Sequence, residues 1–172
     1  TLFPGWSEKT GQIPAGSVST WQASNGSQTT ALGSATARVG LSAISKREWI
    51  LSPGFKPAAQ SEVRFKLAVT DRNFSVSDFM GSDDSLKLMI STDCGESWSL
   101  IRAFTAQNGL SNTLTPFTAD LSAYAGQNCR FAFQATDGNI NNTQDYELHL
   151  DSIRMGPLTV SVGKDVRQKG IS

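Results

Sequence analysis

The chain has 172 residues, and its 15 Lys plus Arg balance its 15 Asp plus Glu, so the formal net charge is zero. That balance gives no general pull toward nucleic acid or an anionic membrane, and no apolar run approaches the ~20 residues of a bilayer-spanning helix. The length suits one domain that buries about 70% of its unfolded surface, and a charged fraction of 17% among many Ser, Thr, Asn, Gln and Gly suits an exported β-protein.

The first strand expected is 18–22, around Trp21. The next is 35–41, where Ala35, Ala37, Val39 and Leu41 share one face. Then comes 48–52, limited by Pro53. The clearest strand is 62–70, with Val63, Phe65, Leu67 and Val69 on one side and Glu62, Arg64 and Lys66 on the other. Strands 86–91 and 97–104 follow, joined by a tight turn, and then a short piece at 117–121. A single helical turn is expected at 121–125, with Asp120 as its N-cap and Gly126 as its terminator. Strand 129–135 carries Phe131, Phe133 and Ala135 in phase. In the last strand, 146–155, Tyr146, Leu148 and Leu150 share one parity and Ile153 and Met155 the other. Either a β-bulge beside Asp151 or burial on both faces accounts for that slip. No segment holds a helical period, so these elements predict an all-β fold, a two-sheet antiparallel β-sandwich. Residues 1–157 form the domain, and 158–172 read as a terminal strand or a linker to a following domain.

The turn is Ser91-Thr92-Asp93-Cys94-Gly95-Glu96-Ser97-Trp98. It matches Ser-x-Asp-x-Gly-x-Ser-Trp, the Asp box of sialidases and other secreted glycan-handling proteins. Asp93 is suited to accept backbone N–H groups, Gly95 to take a positive φ, and Trp98 to cap the hairpin. This is a structural turn. A single copy in so short a chain argues against a sialidase propeller. Cys94 in the turn and Cys129 are the only cysteines, either free thiols or a disulfide between the hairpin tip and strand 129–135. Neither lies in a CxxC pair, which argues against zinc.

Several motifs then occur in order. Phe3-Pro4-Gly5-Trp6 and Glu48-Trp49-Ile50-Leu51-Ser52-Pro53 precede the turn, and Asp120-Leu121-Ser122-Ala123-Tyr124-Ala125-Gly126-Gln127 and Leu150-Asp151-Ser152-Ile153 follow it. Together they resemble the cleaved-adhesin (choice-of-anchor J) domains of exported Bacteroidetes proteins, relatives in shape of the MAM-type jelly roll. The resemblance implies jelly-roll topology and a non-catalytic domain on a large secreted or cell-surface protein, including haemagglutinin regions attached to proteases. It also implies adhesion to host proteins, glycans or cells, and structural calcium, with the family's late acidic position falling on Asp151.

Calcium takes six to eight oxygens. Asp151 is the first candidate ligand, followed by Asp83, Asp84 and Asp145 in the acidic and Asn-rich loops. Trp21 is the candidate for stacking on sugar, whereas Trp49 and Trp98 are expected in the core. Lys46, Arg47, Lys164, Arg167 and Lys169 are candidates for meeting acidic glycans. His149, the only histidine, lies near Glu147 and Asp151, but no nucleophile motif accompanies it, and the chain is read as no enzyme. The expected function is adhesion or binding through loops at one end of the sandwich, with a host protein or glycan as partner and no membrane insertion. A carbohydrate-binding module targeting an attached hydrolase or protease, or a structural spacer, are the alternatives. A chain opening on Thr1 is expected to be a segment of a longer exported protein, beside other domains of the same polypeptide.

Overall fold

The computed structural model describes residues 4–24, 35–42, 44–73, 76, 78–141 and 145–157. Ten strands are found among them: β1 (Ser7–Thr10), β2 (Gln22–Ala23), β3 (Ala37–Leu41), β4 (Arg47–Leu51), β5 (Ser61–Asp71), β6 (Ser85–Ser91), β7 (Ser99–Phe104), β8 (Thr115–Asp120), β9 (Arg130–Thr136) and β10 (Tyr146–Pro157). They form two antiparallel five-stranded sheets, ordered β1-β4-β9-β6-β7 and β2-β3-β10-β5-β8. From β3 onward the chain changes sheet at every connection except the β6–β7 hairpin. That path is a jelly roll.

The inner faces follow the period-two patterns of the sequence. Val63, Phe65, Leu67 and Val69 of β5 and Leu148 and Leu150 of β10 meet Leu86, Leu88, Ile90, Phe131 and Phe133 of the opposite sheet, all 2% exposed or less. Phe65 meets Phe133 edge-on, with ring centroids 5.0 Å apart. The phase slip in β10 is a bulge: the register with β5 shifts between Asp151 and Arg154, and Ser152 takes φ 53°. The turn after β8 is a 3-10 helix at Ser122–Tyr124. Asp120 Oδ1 accepts the Ser122 N–H at 2.7 Å, and Gly126 ends the turn at φ 76°. β6 pairs with β9 over Ser85–Ser91.

Two elements differ from the sequence reading. The strand around Trp21 shrinks to Gln22–Ala23. β1 has no apolar alternation at all; Ser7-Glu8-Lys9-Thr10 is an edge strand held by its ladder to Leu51, Ile50, Trp49 and Glu48. Residues 158–172, including Lys164, Arg167 and Lys169, lie outside the described residues.

Candidate functional site

The Asp-box turn builds itself from its own side chains. Asp93 Oδ1 accepts the Ser91 hydroxyl at 2.7 Å and the Ser97 N–H at 3.0 Å, and Oδ2 accepts the Ser97 hydroxyl. Gly95 N–H donates to Ser91 Oγ at 2.8 Å. These donors, Ser97 foremost, hold the Asp93 carboxyl far below the usual range. Cys94 and Gly95 both turn with positive φ, 64° and 101°. Trp98 closes the loop by donating Nε1–H to the Gly95 carbonyl at 3.0 Å. Asp93, Gly95 and Trp98 therefore occupy the turn positions expected of them, and Asp93 is committed to folding.

The turn also aims Trp98 away from the core. With Leu51, Ala132 and Met89, Trp49 and Trp98 form a second apolar cluster on the outer face of the β1-β4-β9-β6-β7 sheet. Their rings lie 5.6 Å apart at 51°. This corrects the core assignment: Trp49 is buried outside the inter-sheet core, and Trp98 is only half-buried. Trp49 is covered from β1, its Nε1–H donating to the Gly11 carbonyl at 2.8 Å. Beside the pair is a groove of about 330 Å³. Gln12 and Ile13 wall one side, Met89, Trp98 and Leu100 the other, with Arg47, Lys87 and the buried Gln134 between them.

A second surface lies at one end of the sandwich, where the β3–β4, β5–β6 and β9–β10 loops meet. Asp83 Oδ2 accepts the N–H groups of Asn139 at 2.7 Å and Ile140 at 3.0 Å. Asp84 Oδ1 accepts Gly138 N–H at 2.8 Å, while Oδ2 accepts Gly81 N–H at 3.2 Å and the Tyr146 hydroxyl at 2.9 Å. Ser45 joins the third loop, donating its N–H to the Gly138 carbonyl at 2.7 Å and its hydroxyl to Asn139 Oδ1 at 2.8 Å. The loops so fixed carry Ile44, Phe79 and Ile140, each more than half exposed. Lys46 lies lower, donating to the Gly40 carbonyl at 2.8 Å, with Glu48 Oε1 at 3.8 Å.

The four aspartates singled out for calcium do not converge. Asp83 and Asp84 already take five N–H or O–H donors between them. Asp145 faces Arg72 Nη1 at 2.9 Å. Asp151 lies farther along β10, at the bulge, with Oδ1 accepting its neighbour's N–H at 2.6 Å. Among the described residues no group of three His, Cys, Asp or Glu side chains is close enough to share a metal. Asp83 Oδ2 and both Asp84 oxygens already accept N–H or O–H donors.

Other candidates also take definite places. Trp21 is 3% exposed in the inter-sheet core, so it offers no face for stacking; burial of so large an apolar surface decides its position. Cys94 and Cys129 line one cavity of about 640 Å³ at the opposite end from the loops, but both are free thiols, Cys94 exposed and Cys129 buried. Burial pushes the Cys129 thiol pKa up, which disfavours the reactive thiolate. His149 is fully buried, Nδ1 2.8 Å from Thr36 Oγ1 and Nε2 2.9 Å from Thr70 Oγ1. Desolvation, with Arg38 adding to it, pushes its pKa down to about 4. A buried imidazole held between two hydroxyls is a packing element with no route to substrate.

This is a jelly-roll sandwich with one knitted loop end and one aromatic groove. No family model matches the chain, and no curated protein matches its sequence. Solved structures share its fold. The K1 cleaved adhesin domain of Lys-gingipain from Porphyromonas gingivalis W83 aligns at TM-score 0.61 and 12% identity, covering 91% of this chain and 93% of that one. The K2 cleaved adhesin domain of Lys-gingipain aligns at 0.54 and 17%, covering 88% of each. The carbohydrate-binding module TmCBM61, solved with β-1,4-galactotriose, aligns at 0.53 and 11%, covering 90% of each. The adhesin-like jelly roll implied by the sequence motifs is thus the fold found.

Proposed function

We propose that this chain is a non-catalytic recognition domain of a larger, extracellular protein, and that its loop end grips a host protein or glycan. One observation carries this reading. Asp83, Asp84 and Ser45 tie three loops into one frame, so the exposed Ile44, Phe79 and Ile140 are held out before any partner arrives. Preorganisation lowers the ordering cost of binding, and apolar tips on a polar frame match the anatomy of an interface. The shared fold with adhesin domains supports the same reading. The test is an array of extracellular-matrix and plasma proteins with glycans alongside, probed with the wild-type domain and with Phe79→Ser/Ile140→Ser. Binding that the double substitution removes, at unchanged melting temperature, supports the loop end. Silence on the whole array sinks the reading and leaves a spacer.

A second reading, a carbohydrate-binding module, is favoured by the groove beside Trp98. Sugar rings stack their apolar C–H faces on indole, and Gln134 and Gln12 supply amides for hydroxyls. A solved neighbour bound to a galacto-oligosaccharide supports this reading too.

A further inference from the structure

We propose that the outer face of the β1-β4-β9-β6-β7 sheet is a subsite for an acidic saccharide, in which Trp98 and Leu100 carry a sugar ring and Lys87 with Arg47 receives its carboxylate. The proposal rests on the carbohydrate reading of this groove and is independent of the loop end.

Trp49 pairs with Gln134, Gln134 with Lys87, and Lys9 with Trp49, so Lys9, Trp49, Gln134 and Lys87 form one row across four strands. Successive strands lie ~4.8 Å apart, which puts Lys87 about 10 Å from Trp49. The next row is Ser7, Leu51, Ala132, Met89 and Leu100. Side chains two residues apart share a face, so Arg47 and Arg130 also belong to this one. The ionisable positions on it are then Lys9, Arg47, Lys87 and Arg130, with no carboxylate among them. A chain with equal numbers of acids and bases has gathered only bases here.

Those cations are not consumed equally. Arg130 is committed, donating Nε–H to the Ser52 carbonyl at 3.0 Å and Nη2–H to Ser7 Oγ at 3.2 Å. The ion pairs found among the described residues join Arg38 to Glu147, Lys46 to Glu48, Arg64 to Glu62 and Arg72 to Asp145. None involves Lys9, Arg47 or Lys87. Arg47 donates one Nη1–H to Gln12 Oε1, which orients the guanidinium along the groove wall.

The apolar half of the groove supplies shape. Leu100 is 55% and Ile13 58% exposed, and Trp98 is held by its own N–H bond to the turn. A volume of about 330 Å³ lies at the small end of the ~300–1,000 Å³ typical of ligand sites. A flat apolar platform with cations and amides at its rim suits a ring with one C–H face, several hydroxyls and a carboxylate. A nucleic-acid strand fits less well. It needs a run of stacking faces and a basic field, and this surface has one half-exposed indole on a neutral chain.

Calorimetry at low salt tests this with tetragalacturonate against galactotetraose, 3′-sialyllactose against lactose, and a single-stranded oligonucleotide. The expected result is that one acidic saccharide binds at least about tenfold more tightly than its neutral counterpart, the size of one charge-assisted hydrogen bond. Arg47→Gln/Lys87→Gln abolishes that preference, Leu100→Ala weakens acidic and neutral ligands alike, and Lys66→Gln/Arg154→Gln, on β5 and β10 of the opposite sheet, changes neither. Equal binding of acidic and neutral sugars overturns the proposal while sparing the carbohydrate reading. No saccharide binding overturns both. Tighter binding of the oligonucleotide, or loss of saccharide binding in the opposite-sheet variant, also overturns it.

Discussion

Asp84 Oδ2 accepts the phenolic hydroxyl of Tyr146 at 2.9 Å, deep enough that Tyr146 is fully buried. The other oxygen of that carboxylate holds Gly138 N–H. One side chain therefore links the first residue of β10 to two loops of the candidate binding end. Burial first, and the Asp84 charge second, push the Tyr146 pKa up, so the phenol remains a donor at every working pH. Tyr146→Phe leaves a buried carboxylate one donor short and is expected to cost roughly 1–3 kcal/mol. Urea denaturation measures it, and a loss under about 0.5 kcal/mol sinks the assigned role.

Gly138 lies where those loops cross. A Cβ there would stand 2.1 Å from the Asp83 carboxyl, the group that holds Asn139 and Ile140. Gly138→Ala must therefore displace Asp83 and release the β9–β10 loop. The expected outcome is faster amide exchange at residues 139 and 140 with the exchange of β5 and β9 unaltered. Unchanged exchange at residues 139 and 140 contradicts the frame described here.

Asp93 organises the hairpin without touching the core. Asp93→Ala removes the acceptor for Ser91 and Ser97 and is expected to lower the melting temperature, with Ser97→Ala lowering it less. Since its folded pKa is depressed, its contribution is complete above the unfolded carboxylate range and is lost progressively as pH falls from there toward the much lower folded value. The Asp93→Ala deficit should be the same at pH 7 as at pH 5. A deficit that vanishes at pH 5 contradicts the assignment.

Much of this was legible in the residues, and the rest was hidden for a physical reason. The phase slip in β10 was legible in the parity of its apolar residues, but it fitted a bulge and burial on both faces alike, and only the register with β5 selects the bulge. The Asp-box turn was legible because all its bonds lie within five residues. β1 was hidden because a polar edge strand has no core face to display. The loop frame was hidden because Asp83 and Asp84 reach partners 54 to 57 residues away. The groove was hidden for a third reason. Trp49 and Trp98 sit in strand patterns that look like core, and only the register shows that they face outward. Trp21 was misread in the opposite sense, since an aromatic residue just ahead of a two-residue strand carries no period from which burial can be read.

The aspartate geometry makes a prediction about metal. Asp83 and Asp84 are held by N–H and O–H donors and Asp145 by a guanidinium, so their folding does not need a cation. The melting temperature is expected to be the same in EDTA and in millimolar calcium. A calcium-dependent rise would show that the cation recruits oxygens other than these, and Asp151→Asn would then locate it.

His149 supplies a pH dependence with a definite sign. Its pKa falls from 6.5 in the unfolded chain to about 4 in the fold, because the neutral ring is buried between Thr36 and Thr70 and faces the charge of Arg38. Glu147, two residues away on β10, is turned to that same guanidinium at 3.0 Å. Between those two values the unfolded chain binds a proton that the folded protein does not. Stability is therefore complete above pH 6.5 and drains away as pH falls toward 4, by roughly 3 kcal/mol in all. The Asp93 contribution starts to fade only below about pH 5, so the drain above that pH is separable from the hairpin. His149→Gln keeps hydrogen bonds to both threonines within reach and removes the titrating group. It is expected to lower stability at pH 7 but to flatten the profile between pH 6.5 and 4. Chemical denaturation of both proteins across that range gives the two slopes. Parallel slopes would mean that the proton taken up on unfolding belongs to some other group.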